Sequence, residues 1–118
     1  MEGRVSQDSD VKSPIRITPA FFFLMLTLVD GERHGYAMAR EVSDRSDGSI
    51  QLGPGSLYWS LGRLADVGLI EQVSSGASGS ATERRRYYQL TDLGRTVLKR
   101  ETETLSKVLS FARSKRVV

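Results

Sequence analysis

Apolar residues recur along this chain with spacings that separate it into elements. In residues 53–70, GPGSLYWSLGRLADVGLI, Leu57, Leu61 and Leu64 stand at i, i+4 and i+7 and line one face of a helix. The opposite face carries Ser56, Trp59, Ser60 and Arg63. A tryptophan set between two hydroxyls and an arginine suits a face that reads a partner better than one that meets only water. Upstream, Thr18 and Pro19 supply a capping hydroxyl and a proline where its missing N–H costs nothing. The helix that follows, AFFFLMLTLV, is expected to stop near Asp30 and Gly31. Its apolar residues circle the axis, so it must be covered on all sides.

Between these two helices lies HGYAMAREVSDR, residues 34–45, with a narrow apolar stripe of Met38, Ala39 and Val42 and with Arg40, Glu41, Asp44 and Arg45 toward water. His34 reads as a turn residue with a satisfied hydrogen bond in preference to a pH sensor. Ile50, Gln51 and Leu52 alternate apolar and polar, which predicts a very short strand. After the central helix Gly68 breaks the pattern and residues 69–73 are extended. Residues 74–83, SSGASGSATE, hold no core-forming side chain and read as a flexible tip. In RRRYYQLT, residues 84–91, Tyr88 and Leu90 share one face of a strand and Arg85, Tyr87 and Gln89 the other. Thr91 caps a last helix beginning at Asp92, whose carboxylate suits the positive helix end. Its stripe is Val97, Leu98, Leu105, Val108, Leu109 and Ala112, and Lys99 with Glu103 and Glu103 with Lys107 make i,i+4 pairs outside it.

The order helix, helix, short strand, helix, strand, tip, strand, long helix predicts a mainly α fold with a small β wing. It is a winged helix-turn-helix plus a C-terminal dimerisation helix. The expected divisions are a disordered tail over 1–14, a DNA-binding domain over 15–91, the dimerisation helix over 92–113 and a frayed tail over 114–118. Because a small domain has little to cover an outer apolar helix with, Phe21, Phe22, Phe23 and Met25 are expected to face a second copy, together with Leu98, Leu105, Val108, Leu109 and Ala112. Burying about four such side chains gains roughly 6–12 kcal/mol. Association costs ~4–15 kcal/mol, so both helices are needed.

Charge and composition narrow the partner. A net charge of +3 favours an anionic partner only weakly, so the placement of the basic residues decides. Zero cysteines exclude disulfides and thiolate metal sites, and one histidine excludes a histidine-rich zinc site. The longest apolar run, residues 20–29, falls far short of the roughly 20 residues of a membrane span, and the chain reads as cytoplasmic. No phosphate-binding glycine loop or nucleophile setting is present, so an enzyme is not expected.

The candidate chemistry is DNA recognition. At the start of the central helix, Gly53, Pro54, Gly55 and Ser56 let the backbone come close, with free N–H groups for a phosphate. Tyr58 can offer its hydroxyl to a phosphate, Arg63 can pair with a phosphate or a guanine edge, and Trp59 can contribute apolar contact. Each aromatic has a plainer reading, packing on a neighbouring helix. Arg84, Arg85 and Arg86 are the densest positive charge and sit where a wing follows the phosphate backbone. A different class of function is a winged helix that docks a protein, with Trp59 as anchor.

The segments HGYAMAREV, GPGSLYWSLGRLADVGLIE and RRRYYQLTDLGRTVL resemble, in order and spacing, the PadR family of bacterial transcriptional regulators. The resemblance runs from about residue 17 to 103. It implies a homodimeric repressor of duplex DNA, in some members released by phenolic or drug-like aromatic ligands. It places Tyr36, Ser56, Tyr58 and the wing arginines where family members contact DNA. The C-terminal region is the single-helix short form and has no tryptophan, so a ligand sandwiched by interface tryptophans is not expected. No cofactor is implied beyond such a small aromatic inducer at the dimer interface.

Overall fold

The computed structural model describes residues 15–73 and 86–118. The expected tail over 1–14, the tip over 74–83, Arg84 and Arg85 lie outside the described residues. Seven elements follow in order: α1 (Pro19–Leu26), β1 (Arg33–His34), α2 (Gly35–Arg45), α3 (Pro54–Asp66), β2 (Ile70–Val73), β3 (Tyr87–Leu90) and α4 (Asp92–Ser114). The strands form one antiparallel sheet in the order β1-β3-β2. β3 is the middle strand, pairing Val73 with Tyr87 and Ile70 with Leu90 on one side and Arg33 with Tyr88 on the other. The fold is the mainly helical winged helix-turn-helix with a long last helix that the chain's patterning predicts.

The third strand is not the expected one. Ile50, Gln51 and Leu52 form no strand, because the Ile50 N–H is taken locally by the Ser46 hydroxyl at 3.0 Å in a loop with positive φ at Asp47 and Gly48. The open edge of β3 is filled instead by Arg33 and His34, just before α2.

α1 begins as expected, with the Thr18 hydroxyl accepting from the Phe21 N–H at 3.2 Å, but is only eight residues long. Its pattern gives way at Thr27, whose hydroxyl donates to the Leu24 carbonyl at 2.7 Å. Residues 27–30 continue as tighter turns, with Leu28 N–H bonded to the Met25 carbonyl, which keeps Leu28 in the core. Phe21, Phe22, Leu24 and Met25 are buried within this single chain. The expectation that Phe21, Phe22 and Met25 face a second copy is therefore corrected: α2, α4 and the Trp59 indole cover them. Leu98 is likewise a core residue, and of the large apolar side chains of the first helix Phe23, half-buried, and Leu26, exposed, reach the surface.

α3 ends where the sequence places its break. Gly68 takes a left-handed φ of 82°, and the Leu69 N–H reaches back to the Leu64 carbonyl at 2.9 Å. Leu57, Leu61 and Leu64 are fully buried, as their spacing requires. The turn after α3 is then tied to the start of α4. Thr91 Oγ1 lies 2.6 Å from the Gly68 carbonyl and 3.0 Å from that of Leu69, and accepts from the Gly94 N–H at 2.9 Å. Gly94 presses so closely on this turn that a Cβ there would collide with the Leu69 carbonyl oxygen.

α4 is buried only at its beginning, through Gly94, Val97 and Leu98. Leu105, Val108, Leu109 and Phe111 are exposed and Ala112 half-buried. The pairs Lys99 with Glu103 and Glu103 with Lys107 are not closed: among the described residues the ion pairs join Glu41 to Arg33 and Arg45. In place of a frayed end, the last residues form a cap: Arg116 has φ 62° and the Val117 N–H bonds the Ala112 carbonyl at 3.0 Å.

Candidate nucleic-acid interface

α3 is held by its leucines with its other side open. Gly53 caps the helix without a side-chain hydrogen bond, so its first N–H groups have no side-chain acceptor, and Pro54, Gly55 and Ser56 are exposed around them. Gly55 has open space where a Cβ would stand. Ser56 Oγ lies 3.4 Å from the Gly53 carbonyl, a long contact that leaves the hydroxyl available. Trp59 is 63% exposed at the middle of this face, Gly62 and Asp66 continue it, and Arg63 borders it half-buried. Asp66 repels phosphate, which favours approach from the N-terminal end of α3. Ser60 does not belong to the face: it is 6% exposed, turned toward the core beside Leu61.

Two aromatic contacts tie the open face to its surroundings. The Trp59 ring stacks on Phe21 of α1 at 6.4 Å and 17°, so it packs on a neighbouring helix and still presents an exposed edge. On the other flank, Tyr58 is half-buried against the start of α2, where Gly35 makes room for it: a Cβ at Gly35 would lie 2.9 Å from the Tyr58 hydroxyl oxygen. The Arg86 guanidinium stands 5.8 Å from the centre of the Tyr58 ring. Burial pushes the Tyr58 hydroxyl up from its ordinary value, the neighbouring Tyr36 adds to this and Arg86 opposes it. Tyr58 is therefore a neutral donor at physiological pH. Tyr36 itself is 54% exposed at the first turn of α2.

His34 caps α2, its Nδ1 accepting from the Ala37 N–H at 3.3 Å, and its ring meets Tyr87 edge-on at 5.5 Å. Sequence reasoning missed Arg33, which donates to Glu41 at 2.6 Å and braces β1 against α2. An arginine eight residues before a glutamate gives no periodic signal, because the turn into α2 brings them together. An apolar groove of about 310 Å³ lies between α1 and α4 of the single chain, lined by residues including Phe22, Phe23, Leu26 and Leu105.

A helix pair with an exposed second helix, followed by a β hairpin at its flank, defines the chain as a winged helix-turn-helix protein. Residues 24–100 match the model of the transcriptional regulator PadR-like family, and the chain belongs to that family. Solved structures agree in fold. A transcriptional regulator from Clostridium thermocellum superposes with a TM-score of 0.66 at 22% identity, over 86% of this chain and 94% of that one. A PadR family transcription regulator from Clostridium difficile R20291 does so with 0.66 at 21%, over 82% and 97%. An uncharacterized 37.1 kDa protein in transposon TN4556 of Streptomyces fradiae is 32% identical over 94 residues. That match takes in 80% of this chain but only 25% of the relative, so the chain spans a quarter of its length. No described helix is long and apolar enough to cross a membrane.

Proposed function

We propose that this PadR-like protein binds duplex DNA through α3 and the wing and represses transcription as a homodimer on a pseudo-palindromic site. The observation that carries the reading is the bare N-terminal turn of α3, where Gly53, Gly55 and Ser56 leave backbone N–H groups open beside an exposed Trp59. Ser56 and Trp59 meet base edges and thymine methyls. Tyr36, Tyr58 and Arg63 hold phosphates, as do Arg84 and Arg85. The dimer forms along α4, whose exposed Leu105, Val108, Leu109 and Phe111 would otherwise stand in water, with Ala112 and Phe23 beside them. Two such subunits would place their α3 helices about 34 Å apart, one turn of duplex.

Titration of DNA from the promoter of the protein's own gene, repeated across salt, tests this. Nanomolar affinity is expected, falling steeply and linearly with the logarithm of salt. Affinity below that of random DNA, or none that depends on salt, would replace the reading with protein docking through Trp59. A transcription assay on the bound promoter then separates repression from activation. The apolar groove beside Leu26 and Leu105 suits the small aromatic effector that family resemblance implies. Calorimetry with phenolic compounds that gives no heat would remove that part.

A further inference from the structure

Arg86 is the third residue of an arginine run that reads as one phosphate clamp, yet its surroundings differ from those of a free surface cation. Its backbone carbonyl accepts from the Gly35 N–H at 3.2 Å, which fastens the base of the wing to the start of α2. Its guanidinium lies over the Tyr58 ring of α3 at 5.8 Å. Its charge also bears on Tyr88, a buried β3 residue whose hydroxyl burial pushes up and Arg86 holds back. One residue thus lies over α3 with its side chain, faces the buried Tyr88 of β3 with its charge, and holds α2 with its backbone. Gly35 is part of the same fit, because a side chain there would press on the Tyr58 hydroxyl.

We infer that Arg86 is a positioning residue: through Tyr58, Tyr88 and the Gly35 N–H it fixes the wing relative to α3, and it does not serve as a phosphate contact. A guanidinium is suited to this in a way an ammonium is not. Its plane stacks on a ring while its fork donates sideways, whereas lysine supplies only a hydrated point charge. A phosphate contact makes the opposite demand, since lysine satisfies a phosphate well.

The inference rests on the DNA-binding reading, and conservative replacement separates the two. Operator affinity is measured across salt for the full-length chain and for Arg86→Lys, Arg86→Gln, Tyr58→Leu and the double variant Arg86→Gln/Tyr58→Leu. Arg86→Lys keeps the charge, so it is expected to lose affinity roughly three- to thirty-fold with an unchanged salt slope. The double variant should lose no more than the worse single one. Wild-type affinity in Arg86→Lys, with a slope shallower by about 0.9 in Arg86→Gln, would make Arg86 a phosphate contact and overturn the inference. Thermal melting of the same variants without DNA supplies a readout that survives failure of the DNA reading. The double variant should melt no lower than the worse single variant, and additive losses would overturn the clamp whether or not the wild type binds DNA.

Discussion

Two glycines of the same chain carry opposite expectations. Gly94 has no room for a side chain, because a Cβ would run into the Leu69 carbonyl and backbone cannot swing aside. Gly94→Ala should cost about 3 kcal/mol in denaturant unfolding by forcing α4 off the turn. Gly62 has nothing within 4 Å of such an atom and sits inside α3, so Gly62→Ala should stabilise by about 0.5–1 kcal/mol. Equal effects of the two would refute the packing of α4 on Leu69. Both glycines are plain in the sequence, but the difference between them is not, because it depends on a carbonyl far away along the chain from one of them. Glu41 is a second case. The Arg33 hydrogen bond holds its carboxyl below the ordinary glutamate value of 4.5, with Arg45 assisting against partial burial. A lowered carboxylate stabilises the fold fully above that value and loses its contribution as pH falls through the folded one. Glu41→Gln should therefore melt lower than wild type at pH 7, by an amount worth at most about 1 kcal/mol for so exposed a network. The gap should start to narrow as pH falls below the ordinary value of 4.5 and close only below the lower, folded value.

An apolar helix face takes its role from what surrounds it. α1 is apolar on every side, and its sequence pattern cannot say whether the cover comes from its own chain or from another. In the fold, Phe21 and Phe22 are covered internally, and the apolar surface left exposed lies on α4. Phe111, 66% exposed, did not enter the predicted stripe because it lies at the stripe's edge, three residues after Val108 and about 100° round the helix from Ala112. Replacing Val108 and Phe111 together by Glu should leave the helix content by circular dichroism unchanged and shift sedimentation from twice the 13.1 kDa chain mass to once that mass. An unshifted dimer would place the interface elsewhere. The β1 strand follows the same rule. Arg33 and His34 have no strand pattern, yet they pair with β3 because the chain entering α2 passes its open edge.

For the molecule as a whole, the distribution of charge decides how it meets its partner. If Arg86 is held by Tyr58 as proposed, the phosphate contacts expected of the arginine run are left to Arg84 and Arg85. Arg84→Ala with Arg85→Ala should weaken binding to every sequence and flatten the salt slope by roughly 0.9 for each phosphate no longer held. Ser56→Ala or Trp59→Ala should instead change which sequences are preferred. A slope left intact by the double wing variant would sink the wing assignment. Fold class, the three core leucines of α3, the Gly68 stop and the Thr91 cap were all readable from spacing and turn chemistry, since each is a local property of consecutive residues. The burial of Ser60 was legible too, since it stands three residues after Leu57 and four before Leu64 on the leucine face. The limits of α1, the identity of the third strand and the company of Arg86 were not. Each of these depends on which distant surface packs against the residue, and periodicity along a chain reports the direction of a side chain but not its neighbour.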